Sequence, residues 1–135
     1  MKKILVCVLA IVCACACLFA TACKIEKVYY FESMRVEQDG EKTDVKRNDT
    51  FGDIKYDSNS IVLDVKEDKT FTFSANGLLE QALSGSWETI DNNGVQEAVL
   101  NFSTVGLEII VGSIVNGTAT ILLYVNGVDY AIILK

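Results

Sequence analysis

The sequence contains no histidine and no proline, and its five cysteines all lie within the first 23 residues. Without histidine, Ser-His-Asp and Cys-His nucleophilic sites and histidine-ligated zinc sites are excluded. With one cysteine from position 23 onward, that part of the chain forms no internal disulfide, thiolate metal site or redox pair. The fold must therefore depend on a hydrophobic core, which a domain of about 100 residues can supply. We predict no enzyme, no cofactor and no metal site.

The first 22 residues have the layout of a bacterial secretory signal. Lys2 and Lys3 precede an apolar run over residues 4–20, and an Ala-Thr-Ala triplet at 20–22 supplies the small residues of a cleavage site. The apolar run is shorter than the roughly 20 residues that a membrane-spanning helix needs. The pattern therefore predicts a signal peptide over residues 1–22 rather than a retained transmembrane helix.

Cys23 directly follows this triplet, in an arrangement that resembles a lipobox, where the cysteine thiol receives a diacylglycerol. A thiol is nucleophilic enough for such a transfer, and two acyl chains anchor a protein stably. We predict lipidation at Cys23 and a position on the cell membrane, facing outside the cytoplasm. Ala20 departs from the motif, which prefers Leu there. Lipidation at Cys17 and ordinary cleavage after Ala22 remain the alternatives.

Acidic residues outnumber basic ones throughout the rest of the chain. Ten of the 12 basic and all 18 acidic residues follow position 22, so this part has a net charge of −8, against −6 for the entire sequence. Such a surface argues against a nucleic-acid partner and against a polybasic hold on anionic lipid. Residues 23–27 form the predicted lipidated tether, whose four residues after the cysteine reach roughly 13 Å when extended.

Residues 28–135 alternate between apolar and polar side chains with a period of two, which is typical of β-strands. Asn-Gly pairs, which favour two-residue hairpin turns, begin at positions 76, 93, 116 and 126, and Asp39-Gly40 is a fifth turn signal. The predicted strands cover residues 28–37, 61–65, 70–74, 83–90, 95–103, 107–115, 118–125 and 128–134, with a weaker one at 41–47.

About eight short antiparallel strands joined by hairpins predict an all-β fold, a meander that closes into a small barrel and so leaves no exposed edges. A β-sandwich is the alternative. Residues 78–83 are open to interpretation as a short helix or as strand.

Two stretches carry a family resemblance. Residues 61–73 are similar to a strand, Asp-Gly-Thr turn, strand unit, with Lys69 in place of the glycine, and Gly85-Ser86-Trp87-Glu88 is similar to a Gly-x-Trp element. On these motifs the chain resembles short extracytoplasmic lipoproteins of Gram-positive gut bacteria with a lipocalin-like domain. The resemblance covers most of residues 28–135 and implies a barrel with Trp87 capping its floor. The opening Tyr29-Tyr30 departs from the usual Gly-x-Trp.

Four aromatic residues are the candidates for lining an apolar ligand pocket: Phe71, Phe73, Trp87 and Phe102. A small apolar molecule would then be the ligand. Inward aromatic side chains more often belong to the core, and a barrel of eight short strands is close to the size that side chains fill. Both interpretations stay open on the sequence.

Carboxylates are concentrated in the charged 41–59 segment and just before it: Asp39, Glu41, Asp44, Asp49, Asp53 and Asp57. Calcium binding or a glycosidase pair would use such groups. The spacing matches no EF-hand, and lysines and an arginine are interleaved, so we interpret the segment as a solvated connection. It is long for a small domain, and we expect it to cover one barrel mouth or to hold a short helix.

The last strands are apolar on both faces, whereas an isolated barrel strand is polar outside. Leu122, Tyr124, Ala131 and Ile133 lie on the face opposite Ile121, Leu123, Val125 and Ile132. Either another segment of the chain covers this face, or it contacts a protein or the membrane. We therefore expect a non-catalytic binding module with an unknown ligand. The alternative is a structural or inhibitory envelope protein that acts through a surface patch centred on Leu122 and Ile133.

Overall fold

The computed structural model describes residues 24–103 and 109–135, and for Ile109 the backbone alone. These residues form strands and turns, with no helix among them. The strands are β1 Val28–Gln38, β2 Glu41–Lys46, β3 Thr50–Phe51, β4 Ile54–Lys55, β5 Ile61–Val65, β6 Thr70–Ala75, β7 Leu83–Asn92, β8 Val95–Phe102, β9 Ile109–Val115, β10 Thr118–Val125 and β11 Val128–Leu134. Residues 107 and 108, the first two of the predicted 107–115 strand, lie outside the described residues.

The main sheet closes on itself. Its neighbours follow the order β1, β5, β6, β7, β8, β9, β10, β11, and β11 then pairs with β1. Every one of these pairings is antiparallel, so eight strands make a closed barrel. The predicted small lipocalin-like barrel is confirmed, and the closure excludes the sandwich alternative.

Strand β1 changes partners along its length. Val28 to Tyr30 pair with β5, whereas Ser33 to Gln38 pair with β2, which is the extra strand outside the barrel. On its other side β1 pairs with β11 from Phe31 to Glu37, with a register shift between Phe31 and Ser33. Bulges of this kind bend a strand and let it turn a corner. The bend allows β1 to leave β5 while it remains paired with β11.

Four hairpin turns have the geometry that the sequence predicts. Both turn residues have positive φ at Asp39-Gly40, Asn93-Gly94, Asn116-Gly117 and Asn126-Gly127, which matches the twist of the flanking strands. The pair at 76–77 differs, because only Gly77 has positive φ, at 80°. Beyond it, residues 78–82 are irregular and strand starts at Leu83, so the helix interpretation of 78–83 is wrong.

The antiparallel pairings define two ends of the barrel. The lower end carries residues 24–27, the β5–β6 turn, the β7–β8 turn, the β9–β10 turn and the end of β11. The upper end carries the β1–β2 turn, the β10–β11 turn and the β6–β7 connection. The chain therefore enters the barrel at the lower end, beside Lys135, whose N–H donates to the carbonyl of Tyr30 at 2.9 Å.

The core fills the barrel between these ends. Its largest fully buried side chains are Tyr29, Tyr56, Phe31, Phe71, Phe73, Ile61, Leu63, Ile114, Ile121, Leu123, Ile132 and Leu134. Apart from Tyr56, these are alternate residues of six barrel strands, as the period of two predicts, and β7 and β8 add Trp87, Ala98 and Leu100 to the same core. Every barrel strand therefore contributes side chains to one common hydrophobic core.

The charged 41–59 segment forms β2 and the small β3–β4 hairpin, not the short helix that was one expectation. A backbone hydrogen bond joins the two ends of the β3–β4 hairpin: the N–H of Tyr56 donates to the carbonyl of Asp49 at 2.8 Å. The Tyr56 ring is 1% exposed and lies 5.7 Å from the ring of Phe31. Ile54 reaches Gly77 in the β6–β7 connection. The segment thus packs onto the upper end of the core.

Candidate interaction surface

The predicted pocket aromatics lie inside the barrel. Phe102 contacts both Phe71 and Phe73, with ring centroids 4.8 Å and 6.1 Å apart and the rings close to perpendicular. Phe71 and Phe73 are 1% and 0% exposed. Gly85 pairs with both Phe71 and Phe102, and a Cβ on it would lie 2.8 Å from Phe71 Cζ. The Phe71 ring therefore occupies the space over this glycine, and these contacts are those of a packed core.

Trp87 lies apart from this cluster, at the lower end. Its Nε1–H donates to the carbonyl of Lys66 at 2.9 Å, and the Lys69 ammonium lies 3.8 Å from the centroid of the indole. The indole is 3% exposed and sits beneath the β5–β6 turn. This position agrees with a tryptophan that caps the barrel floor. Whether any of the four aromatics binds a ligand stays a prediction.

Three carboxylates of the charged segment, Asp44, Asp49 and Asp57, are engaged in local hydrogen bonds or an ion pair. Asp49 Oδ2 accepts from the Lys46 N–H at 2.9 Å, and Asp57 Oδ1 accepts from the Asn59 N–H at 2.9 Å. Asp44 binds Arg35. Among residues 24–103 and 109–135, no group of three or more Asp, Glu, Cys or His side chains is arranged to hold a metal ion.

The outer face of the last strands has a continuous cross-strand row. Val111 on β9 pairs with Leu122 on β10, Leu122 with Ala131 on β11, Ala131 with Arg35 on β1, and Arg35 with Asp44 on β2. Val111 is 54% and Leu122 48% exposed, the two highest values among the large apolar side chains described. The row is thus apolar at one end and charged at the other.

Ile133 lies next to Ala131 on the same face, where its partner on β10 is Thr120 and its partner on β1 is Ser33. We define the outer patch as Val111, Leu122, Ala131 and Ile133. The last two are partly exposed. The predicted pair Leu122 and Ile133 therefore does lie on one surface. In the described part of the chain, β2 lies beside this surface and leaves Leu122 open.

Two grooves follow the outer patch. One has a volume of about 270 Å³ and runs between Leu122, Tyr124, Ala131 and Arg35. The other has a volume of about 380 Å³, and its lining includes Ser33, Ala131 and Ile133. Arg35 and Ala131 line both grooves, so the two are continuous along β1 and β11.

Arg35 and Asp44 form the charged margin. Arg35 Nε donates to Asp44 Oδ1 at 2.8 Å, and Nη2 donates to Oδ2 at 3.3 Å. These hydrogen bonds from Arg35 lower the pKa of the Asp44 carboxyl below its ordinary value, and the same contact raises the pKa of Arg35. Both side chains are more than half exposed, so the pair adds little to stability. It holds the guanidinium in a fixed orientation beside the outer patch.

Three members of this surface were not identified from the sequence: Val111, Arg35 and Asp44. Val111 follows Ile109 and Ile110 in a run of consecutive apolar residues, so the sequence does not indicate that its side chain points outward. Arg35 and Asp44 lie on the first two strands. Their place beside Ala131 follows from the β1–β11 register, which includes an irregularity that no local pattern indicates.

Cys23 and Cys17, the predicted lipidation sites, lie outside the described residues. Residues 24–27 are held against the barrel: Ile25 packs on the core, and its carbonyl accepts from the Tyr29 hydroxyl at 2.9 Å. The predicted tether after Cys23 is therefore bound to the lower end.

In the part of the chain that is described, no helix has the length and apolar character needed to cross a membrane. The chain matches no protein-family model, and searches of curated proteins and of solved structures found no similar protein.

Proposed function

We propose that the protein is a non-catalytic module of the cell envelope that is anchored by a lipid on Cys23 and binds a protein partner through the outer patch. The observation that carries the proposal is the cross-strand row in which exposed Val111 and Leu122 adjoin Ala131 and then the Arg35–Asp44 pair. An apolar centre with a charged margin is typical of protein–protein interfaces. Contiguous exposed apolar side chains with a polar border mark sites of contact with another molecule.

The packing of the interior supports surface binding over the transport of a small apolar ligand. The inward phenylalanines contact one another, and the Phe71 ring covers Gly85. A second inward glycine, Gly112, is covered in the same way, since a Cβ there would lie 2.8 Å from both Leu100 and Ile121 side chains. Large side chains thus occupy the space that small residues leave open in the barrel.

The anchor is tested by expression of the full chain in a bacterium and mass spectrometry of its N-terminal peptide. We expect a diacylglycerol on Cys23, and we expect Cys23→Ser to move the protein from the membrane to the soluble fraction. Cys17→Ser is the matched control and should leave the protein in the membrane. Retention of Cys23→Ser together with release of Cys17→Ser would assign the anchor to Cys17 and contradict the proposal.

The outer patch is tested by the double substitution Leu122→Lys and Ile133→Lys. Both side chains point outward, so the barrel should still fold, while a partner that packs on them loses apolar contact and meets two charges. A photo-crosslinking residue at Arg35 should then lose its cross-linked protein bands. Ser86→Lys, at an exposed position on β7, is the control and should leave the bands unchanged. Equal cross-linking in the folded double variant would refute the proposed surface.

A further inference from the structure

The lower end of the barrel carries the large exposed apolar side chains that do not belong to the outer patch. Six large apolar residues are exposed among those described, and four of them lie on the lower halves of their strands: Val28 at 37%, Tyr30 at 41%, Ile90 at 44% and Val95 at 41%. Val28 and Tyr30 open β1. Ile90 and Val95 lie on the two arms of the β7–β8 hairpin. We define these four residues as the lower rim.

The lower rim has two parts on opposite sides of the barrel. Starting from β1, the order of strands places β7 three steps away and β8 four steps away, which is half of the eight-stranded circuit. On the hairpin, Ile90 faces Glu97 and Asn92 faces Val95, so Ile90 and Val95 are diagonal neighbours on one outer face. A surface that contacts both parts at once must extend across the whole end of the barrel.

Residues 24–27 lie at this same end and are bound closely to the barrel. The Val65 N–H donates to the carbonyl of Lys27 at 3.0 Å, and the Tyr29 hydroxyl donates to the carbonyl of Ile25 at 2.9 Å. Lys24 lies 3.6 Å from Glu67 in the β5–β6 turn. Because one peptide bond joins Lys24 to Cys23, a lipid on Cys23 holds the membrane within a few ångströms of the lower end.

Charge at the lower end is mixed. Its basic residues are Lys24, Lys27, Lys66, Lys69 and Lys135, and its acidic residues include Glu26, Asp64, Glu67, Asp68, Glu88, Asp91 and Glu97. This balance gives no net attraction to an anionic surface. Contact with a lipid surface must therefore come from the apolar side chains, while the lysine stems allow their ammonium groups to reach the phosphates.

We propose that the lower end of the barrel docks on the membrane interface, with the lower rim at the level of the lipid headgroups. The proposal rests on the lipid anchor of the proposed function and adds a second, non-covalent contact to it. In this orientation the barrel stands on the membrane with β10 and β11 rising from it. The outer patch then faces sideways along the membrane, and the charged upper end points away.

The experiment uses full-length, lipidated protein in phosphatidylcholine vesicles that contain brominated phosphatidylcholine, which quenches nearby tryptophan. Reporter variants Tyr30→Trp and Ile90→Trp place an indole on each part of the lower rim, and Leu122→Trp is the matched control on the outer patch. All three positions are exposed to a similar extent, and the native Trp87 signal is subtracted. We expect brominated lipid to quench about half of the fluorescence that each rim reporter adds to that of Trp87. This is the effect expected of an indole that lies roughly 5–10 Å into the membrane interface.

The outcomes separate the two proposals. Quenching at Tyr30→Trp and Ile90→Trp without quenching at Leu122→Trp supports docking of the lower end. If Cys23 carries its lipid and no reporter is quenched, the barrel stands clear of the membrane and docking is refuted, while the anchor stands. Quenching of all three to the same degree means that the barrel lies on its side, which also refutes docking. Absence of a lipid on Cys23 refutes the anchor, and docking falls with it.

Discussion

Lys69 occupies a backbone position that favours glycine. It has a φ of 68°, in the left-handed region, where a side chain with a Cβ costs on the order of 1 kcal/mol. Its ammonium lies 3.8 Å from the centroid of the Trp87 ring, and such a contact contributes about 0.5–1 kcal/mol at an exposed site. The contact between the charge and the ring therefore offsets the strained backbone, which accounts for a lysine at a position that favours glycine.

This balance predicts different effects for two substitutions. Lys69→Ala keeps the strain and loses the contact, so the free energy of unfolding should fall by about 0.5–1 kcal/mol. Lys69→Gly loses the contact and relieves the strain, so its free energy of unfolding should stay within about 0.5 kcal/mol of the parent chain. Urea unfolding followed by Trp87 fluorescence measures both. Equal destabilisation by Ala and Gly would show that the backbone at Lys69 is unstrained.

At the scale of the element, the segment between β2 and β5 is held on the barrel by Tyr56. Burial raises the pKa of the Tyr56 hydroxyl above its ordinary value of 10.0, with a smaller contribution from Tyr130, and burial raises the pKa of Tyr130 as well. A raised pKa in the folded state means that the unfolded chain loses these protons first as pH increases. The stabilisation is complete below about pH 10 and is lost above it.

The corresponding prediction is a fall in the free energy of unfolding between about pH 9 and pH 11. Tyr56→Phe should weaken that fall, because phenylalanine has no hydroxyl proton to lose and only Tyr130 then contributes to the pH dependence. Tyr30→Phe, at an exposed position, is the control and should follow the parent chain. Urea titrations at a series of pH values give the slopes. A slope for Tyr56→Phe equal to that of the parent chain would contradict the assignment.

The elements that the sequence predicts best are the hairpins with paired positive φ. Thr118 to Val125 and Val128 to Leu134 have the predicted bounds, because β-branched and apolar runs are bounded there by the Asn116-Gly117 and Asn126-Gly127 turns. The conformation of residues 78–82 is not set by the local sequence pattern. Their apolar side chains suit a helix as well as a strand, and the choice depends on packing: Leu78 and Leu79 lie against a core that other strands provide.

The candidate surface was predictable only in part, for a similar reason. The apolar outer positions of β10 and β11, Leu122 and Ile133 among them, are visible in two adjacent stretches of sequence. Arg35 and Asp44 join them through the pairing of the first strand with the last, whose register depends on the irregularity at Phe31 to Ser33. Local alternation indicates which face a residue occupies. It does not indicate which distant residue lies beside it.

At the scale of the whole molecule, stability depends on the pairing of β1 with β11. Removal of residues 128–135 opens the barrel and exposes the edges of β1 and β10, so we expect loss of the cooperative unfolding transition. A circular permutant is the control. It joins residue 135 to residue 28 through a short Gly/Ser linker and opens the chain between Asn93 and Gly94. Because the permutant keeps every strand pair, it should unfold cooperatively, as monitored by circular dichroism. A cooperative transition in the truncated chain would mean that closure is not required.

The pairing of β1 with β11 also determines how early during synthesis the barrel can close. Arg35 lies opposite Ala131, so the partner of the first strand is made 96 residues after it. At roughly 5–20 residues per second, the growing chain spends on the order of 5–20 s before the β11 partner of its first strand has been made. During synthesis the barrel therefore cannot close until β11 has been made. In the export that we propose, the chain crosses the membrane in an extended form, and this delay prevents the barrel from closing before the crossing is complete.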